Sequence, residues 1–187
     1  MKPDSPASSR VAFWLVPAPP HNHDLAAIIE HLARELSAPR FEPHVTLYAG
    51  ARGADDDVAA LLTRAAQQVE TMELRVTAVG TLPELFKTLY LEFEPDPRTE
   101  QLCRLFRAGL QPALPYVSNP HLSLLYKDLP EATRTALARR FDFAGQRITF
   151  GQMAAVRPGG EGHDWLDIEK WDVWLRKDLG SRSPAQR

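Results

Sequence analysis

The 187-residue chain carries 22 lysines and arginines against 24 aspartates and glutamates, for a formal charge of −2, and 44% of its residues are apolar. That is an ordinary composition for a folded chain able to bury a core, and it excludes the basic field that holds long nucleic acid by counterion release, leaving a small anion possible. The single cysteine, Cys103, excludes an internal disulfide framework and a cysteine-rich zinc site, and a reducing compartment is the simpler expectation.

Residues 1–10 and 180–187 are polar and poor in large apolar side chains, and they read as flexible ends. "VAFWLV" (11–16) reads as a first strand; it is too short for a secretory h-region and runs into the proline-rich "PAPP". No apolar run is long enough to span a bilayer, so the expected location is the cytoplasm. The amphipathic "DLAAIIEHLAREL" (24–36) predicts a helix capped by Asp24. A strand near 43–49 follows, then a helix over 55–70 with "DDD" supplying favourable charge at its N-terminus, and a strand over 73–79. "FKTLYLEF" (86–93) alternates as a further strand. The second half continues with a helix over 98–110, in which Cys103 shares a face with Phe106 and Leu110 and is expected in the core. A strand near 120–126, a helix over 130–141 opened by Pro130, and strands in "RITFGQMAAV" and "KWDVWLRKDL" complete the chain. Strands outnumber a strict βαβ alternation, which predicts an α+β architecture of two sheet-bearing lobes.

Two of these strands carry nearly the same text. "FEPHVTLYAG" and, 77 residues later, "NPHLSLLY" each place a proline, a histidine, an apolar residue, a hydroxyl and a leucine in order. Strand side chains return to one face every second residue, so His44 lies beside Thr46 and His121 beside Ser123. Pro43 and Pro120 lack an N–H and suit a strand's opening position. One such tripeptide is more often a satisfied strand residue than a site. Two copies sharing the proline, the hydroxyl and the leucine are hard to obtain by chance, and each half also places a helix soon after its His strand. The pattern reads as a diverged internal duplication whose halves bring two imidazoles and two hydroxyls to one groove. That set suits hydrolysis of a cyclic phosphodiester. A base takes a proton from water, an acid protonates the departing sugar oxygen, and hydroxyls donate to non-bridging phosphate oxygens; histidine, with a pKa of ~6.5, serves either proton-transfer role near neutrality.

On these residues the chain resembles the two-histidine phosphoesterases, and within them the cyclic phosphodiesterases of the plant and yeast type, whose two H-x-T/S motifs "RFEPHVTL" and "PYVSNPHLSLLY" approach closely. The likeness covers most of residues 11–175 in motif order and includes a tryptophan ahead of proline in the first strand, here Trp14. It implies one bilobal α+β domain over 11–179, with two pseudo-symmetric antiparallel-sheet lobes and outer helices around a water-filled groove. The implied substrates are ADP-ribose 1″,2″-cyclic phosphate and nucleoside 2′,3′-cyclic phosphates, opened without metal or other cofactor by a chain expected to be monomeric. It makes His44 and His121 the acid/base pair and Thr46 and Ser123 the phosphate holders. It also implies a substrate contact for Tyr126, although counting by twos from His121 puts Tyr126 on the opposite face, so its use demands a bulge or twist. Trp14 is either a groove wall stacking a base or ribose, or plain core. The text departs from the family's in "TLPELFKTLYLEF", Asn119 and Tyr48, which bears on nucleoside recognition and not on the phosphate chemistry. Rival readings are an RNA 2′,3′-cyclic phosphodiesterase acting on oligonucleotide ends, for which the mild acidity is unfavourable, and a nucleotide-binding module of the same fold without turnover.

Other histidines read as structure. "HNHD" (21–24) is expected to be a solvated turn and not a metal site; His31 is expected to face solvent; His163 and Asp164 sit in a glycine-rich loop.

Overall fold

The computed structural model describes residues 9–113, 119–158 and 166–180. Each half runs strand, helix, His strand, helix, strand. The first holds β1 (Ser9–Pro17), α1 (His21–Leu36), β2 (Val45–Arg52), α2 (Val58–Gln68) and β3 (Met72–Gly80). The second holds β4 (Leu89–Phe93), α3 (Pro97–Ala108), β5 (His121–Leu125), α4 (Glu131–Ala138) and β6 (Arg147–Arg157), and β7 (Asp172–Asp178) comes last.

The strands make one seven-stranded antiparallel sheet in the order β1-β2-β5-β4-β3-β6-β7, with β1 also paired to β6. The first lobe is therefore β2-β1-β6-β7 and the second β5-β4-β3, the opening residues of β6 running on beside β3. The two His strands meet at one pair, Val45 with Leu122. Each half has given its third strand to the other: β3 pairs with β4, and β6 with β1. The helices cross as well, α1 packing on β5 and α3 on β2. This is the α+β, two-lobed arrangement expected from the duplication, with the lobes fused through exchanged elements instead of set side by side.

Alternation along β1 decides which layer is which. Val11, Phe13 and Leu15 enter the main core beneath the helices, where Phe13 stacks on Phe106 of α3 at 3.9 Å. Ala12, Trp14 and Val16 face the other way and join Ala154 and Val156 of β6 in a smaller cluster on the groove side. Burying each large apolar side chain contributes roughly 1.5–3 kcal/mol, and the exchange of strands and helices makes both lobes draw on the same core. Cys103 lies in that core, as its helical spacing predicted, and burial pushes its thiol pKa up.

Several boundaries differ from expectation for local reasons. β1 starts at Ser9, because Ser9 and Arg10 pair with Arg52 and Ala51. "HNHD" is not a solvated turn: it forms the first turn of α1, and His21 Nδ1 accepts the Thr149 backbone N–H at 3.2 Å. Asp24 consequently sits inside that first turn and does not cap it. In "DDD" only Asp57 serves α2, accepting from the Ala60 N–H, while Asp56 accepts from Gly53 and Gln111 and ties two loops together. His31 is exposed, 3.5 Å from Glu35. His163 and Asp164 lie outside the described residues, as do positions 1–8 and 181–187 of the expected flexible ends. Among the described residues no helix is long and apolar enough to cross a membrane, and no group of three His, Cys, Asp or Glu side chains could hold a metal ion.

Candidate active site

A groove of about 250 Å³ opens between the lobes, and His44, Thr46, His121, Trp14 and Tyr126 all line it. Each histidine is oriented the same way. His44 Nδ1 lies 2.6 Å from the Glu42 carbonyl and His121 Nδ1 lies 2.7 Å from the Asn119 carbonyl, two residues upstream in both halves. A carbonyl only accepts, so each Nδ1 carries the proton, and Nε2 is the nitrogen left for chemistry in both rings. The intervening proline explains the repeat: it holds the preceding residue in extended backbone, which brings that residue's carbonyl back against the ring.

The His strands also share an irregularity. Trp14 pairs with Thr46 but Phe13 with Tyr48, which leaves Leu47 as an extra residue in β2. Tyr90 pairs with Ser123 but Leu89 with Leu125, which leaves Leu124 extra in β5. In each half the bulge falls on the third residue after the histidine and shifts the parity of every later strand position. The fifth residues, Ala49 and Tyr126, thus reach the groove wall. The bulge that Tyr126 required is present. Tyr48, which strict alternation would set beside Thr46, is instead wholly buried in the main core.

The two hydroxyls are placed differently. Thr46 lines the groove, whereas Ser123 is only 3% exposed, donates to the Phe86 carbonyl at 2.7 Å and is hydrogen-bonded to the Tyr126 phenol. The Ser123 proton is thus held on a backbone carbonyl and not presented to the groove. Trp14 is 2% exposed, and one face of its indole is covered by the His44 imidazole, stacked at 3.6 Å and 10°. It packs the histidine and leaves no open face for a base.

Two further aromatics that no sequence motif singles out, Phe86 and Trp171, line the groove. Phe86 lies in the single-turn 3-10 helix Leu85–Lys87, anchored by Thr88, whose hydroxyl donates to the Lys127 carbonyl at 2.7 Å with the Glu84 and Leu85 carbonyls at 3.2 and 3.1 Å as alternative acceptors. Trp171 ends the matching short turn Ile168–Lys170 ahead of β7. The sequence pattern assigns both to strands, because the text runs unbroken into the strand that comes next. No period marks a turn residue that faces a groove; the only available signal is an aromatic immediately ahead of an alternating run.

Burial dominates the electrostatics. It pulls the His44 pKa down to about 3, against the favourable Glu42 carbonyl and with further lowering by the charge of His121. His121 is lowered as well, first by burial and then by Lys87, while the Asn119 carbonyl and Glu84 oppose the shift. Burial raises the Tyr126 phenol, which stays neutral and able to donate. The arrangement thus offers two imidazoles that burial holds neutral, the groove-lining Thr46 hydroxyl and an aromatic enclosure.

Comparison with known proteins places this geometry. The fold matches that of E. coli LigT complexed with phosphate at a TM-score of 0.58 and 16% identity, covering 92% of this chain and 98% of the other. It also matches a Thermus thermophilus protein at 0.60 and 14%, covering 93% and 100%. In sequence the chain is 27% identical over 121 residues to a cyclic phosphodiesterase from Arabidopsis thaliana, across 63% of this chain and 65% of that protein's length. Residues 15–158, which contain both His motifs, match the 2'-5' RNA ligase superfamily, and the chain belongs to that family of two-histidine phosphoesterases.

Proposed function

We propose that this protein is a cyclic phosphodiesterase that opens nucleoside 2′,3′-cyclic phosphates, ADP-ribose 1″,2″-cyclic phosphate or both, by acid/base catalysis between His44 and His121 without a metal. The observation that carries the reading is the paired orientation of the imidazoles, each with Nδ1 pinned to a backbone carbonyl and Nε2 left to one shared groove. The Arabidopsis relative's name and the phosphate and 3'-AMP in the LigT structures support the same class of ligand.

In this scheme the cyclic phosphate lies between the two Nε2 atoms. One neutral imidazole takes a proton from water as its oxygen attacks phosphorus; the other, protonated, gives its proton to the ribose oxygen that departs. The P–O bond to water forms as the ring P–O bond breaks, and one proton moves at each end. Thr46 donates to a non-bridging oxygen, and Ser123 does so after leaving the Phe86 carbonyl. The substrate's negative charge raises both imidazoles, which supplies the protonated partner that burial alone disfavours. Tyr126 adds a neutral phenol at the wall. The chain is proposed to act as a cytoplasmic monomer on small molecules.

The test is incubation of metal-stripped protein in excess chelator with nucleoside 2′,3′-cyclic phosphates, ADP-ribose 1″,2″-cyclic phosphate and an oligoribonucleotide ending in a cyclic phosphate. Ring-opened monoester should appear with chelator present. Turnover that vanishes with chelator and returns with a divalent ion would refute the scheme, and preference for the oligonucleotide would move the substrate to RNA ends.

A further inference from the structure

We infer that Tyr90, seated on Gly80, is the positioning residue of His121: it is the second-half counterpart of Trp14, and it steers its imidazole from an edge instead of sealing it. The inference rests on the cyclic phosphodiesterase reading and traces the unequal exposure of the two histidines to one pair of residues. In the first half, Trp14 of β1 is paired with Thr46 on the His strand and with Ala154 on the exchanged strand β6. In the second half, Tyr90 of β4 is paired with Ser123 on the His strand and with Gly80 on the exchanged strand β3. Each half therefore sets an aromatic residue on its central strand, between the hydroxyl of the motif and a residue with one side-chain carbon or none.

That one carbon separates the two arrangements. Trp14, opposite the Ala154 methyl, lies flat on His44 with centroids 3.6 Å apart and 10° between the planes. Tyr90 meets His121 edge-on, at 5.5 Å and 77°. A Cβ built at Gly80 would stand 2.5 Å from Tyr90 Cζ and 2.7 Å from its Oη, well inside the roughly 3.5–4.0 Å of a favourable contact. The phenol ring thus fills the space that a methyl at position 80 would take. Because β4 lies between β3 and β5, a ring displaced from β3 moves toward His121. Glycine keeps the ring down on β3, and His121 keeps its open side. Among the described residues the Tyr90 hydroxyl has no hydrogen-bond partner, and burial, Glu92 and Glu84 hold it neutral, so it is the ring that positions the imidazole.

The experiment combines kinetics on a nucleoside 2′,3′-cyclic phosphate with the titration of His121 itself, followed in the free protein by NMR of its ring C–H signals. Tyr90→Ala removes the ring, and kcat should fall by about 3–10-fold with KM nearly unchanged, the size of one aromatic contact. Tyr90→Phe should recover most of that rate. The charged groups facing His121 are Lys87, which lowers its pKa, Glu84, which raises it, Glu92 opposite it on β4, and His44 across the groove; α1 packs on the core face of β5, away from them. None of these changes in the variants. Burial is the first cause of the lowered His121 pKa, so Tyr90→Ala should move its midpoint up toward 6.5 and carry one limb of the kcat/KM profile with it. Gly80→Ala, which lifts the ring onto the imidazole, should move the midpoint further down, and His44 should respond far less to either change. A midpoint unmoved in Tyr90→Ala overturns the inference whatever the rate does, and so does a Gly80→Ala midpoint that rises or stays. Tyr90→Phe as slow as Tyr90→Ala would give the role to the hydroxyl and overturn it as well. If Gly80→Ala does not fold, the Tyr90→Ala midpoint decides alone. If no cyclic phosphate is turned over, the functional reading fails separately, and the midpoints still sustain or overturn the place of Tyr90 beside His121.

Discussion

The two half-sites share a motif and a carbonyl-to-imidazole contact, yet they are built to different tolerances. His44 is sealed: 5% exposed, stacked on Trp14, and tied to Glu42, whose carboxylate is gripped by both outer nitrogens of Arg176 at 2.8 and 2.6 Å. His121 is looser, only partly buried, meeting Tyr90 edge-on at 5.5 Å, and within reach of the opposed charges of Lys87 and Glu84. The motif is written twice, and its surroundings separate a sealed imidazole from a more open one. The hydroxyls repeat the contrast in reverse, Thr46 facing the groove and Ser123 held behind it.

The largest effect is expected from the halves acting as one unit. His44→Ala and His121→Ala should each remove most turnover, by a factor of about 10³ or more, and the double variant should lose little beyond either single. Steady-state rates on the best cyclic phosphate measure this. Near-normal rates in both singles would make the duplicated motif structural. A substrate whose leaving group departs unprotonated should rescue only the variant that lacks the acid, which assigns the roles.

Next in size are the hydroxyls, where the asymmetry can be broken directly. Thr46→Ala should cost about 3 kcal/mol in the transition state, close to two orders of magnitude in kcat/KM, and more in turnover than in stability. Ser123→Ala strands the Phe86 carbonyl and the Tyr126 phenol in a buried place, and should cost about 1–3 kcal/mol of stability in addition to activity. Urea unfolding beside kinetics separates the two, and equal melting of both variants would deny Ser123 its anchoring part.

The same two motifs set how much of the molecule is legible in its sequence. His44, Thr46, His121 and Ser123 are readable because duplication and strand parity are properties of text, and the groove does contain both imidazoles. Parity fails at Tyr48, and Tyr126 escapes it, because a bulge depends on register with a neighbouring strand, and neither Leu47 nor Leu124 announces one. The exchange of β3 and β6 is hidden for a related reason: order along the chain says nothing about which β-neighbour wins. Trp14 is visible as an aromatic but not as the ring beneath His44, since stacking across β1 and the segment leading into β2 is a tertiary fact.

The pH dependence sharpens the contrast between the imidazoles. His44 falls from 6.5 to about 3 on folding, so the unfolded chain binds more protons below pH 6.5. Its neutral form contributes fully to stability above that pH, and the contribution shrinks as pH drops toward 3; His121 adds a smaller loss of the same sign. Unfolding free energy measured at pH 7.5 and pH 5 should fall on acidification, and less steeply in His44→Asn. For kcat/KM, which reports the free protein, both lowered values place the optimum of the bell below pH 6.5. Rates fall on the alkaline side as the imidazole acting as acid loses its proton, and on the acid side as the one acting as base gains one. An optimum centred above pH 7 would contradict the downward shift of both imidazoles.

The smallest expected effect concerns the outermost element of the tighter half. Arg176 grips the Glu42 carboxylate at the surface, where an ion pair contributes about 0–1 kcal/mol, so Arg176→Met should shift unfolding by less than roughly 1 kcal/mol. Glu42 is nonetheless the residue whose carbonyl sets the His44 tautomer, and freeing its side chain loosens that carbonyl. Pro43 and the Trp14 stack still hold the ring, which limits the consequence to a few-fold fall in kcat with KM nearly unchanged. Glu42→Gln, keeping length and one hydrogen bond, should recover most of the rate. A loss as large as that of His44→Ala would mean that the fork, and not the stack beneath the imidazole, makes this half rigid; no loss in either variant would leave the rigidity to Trp14 and the proline alone.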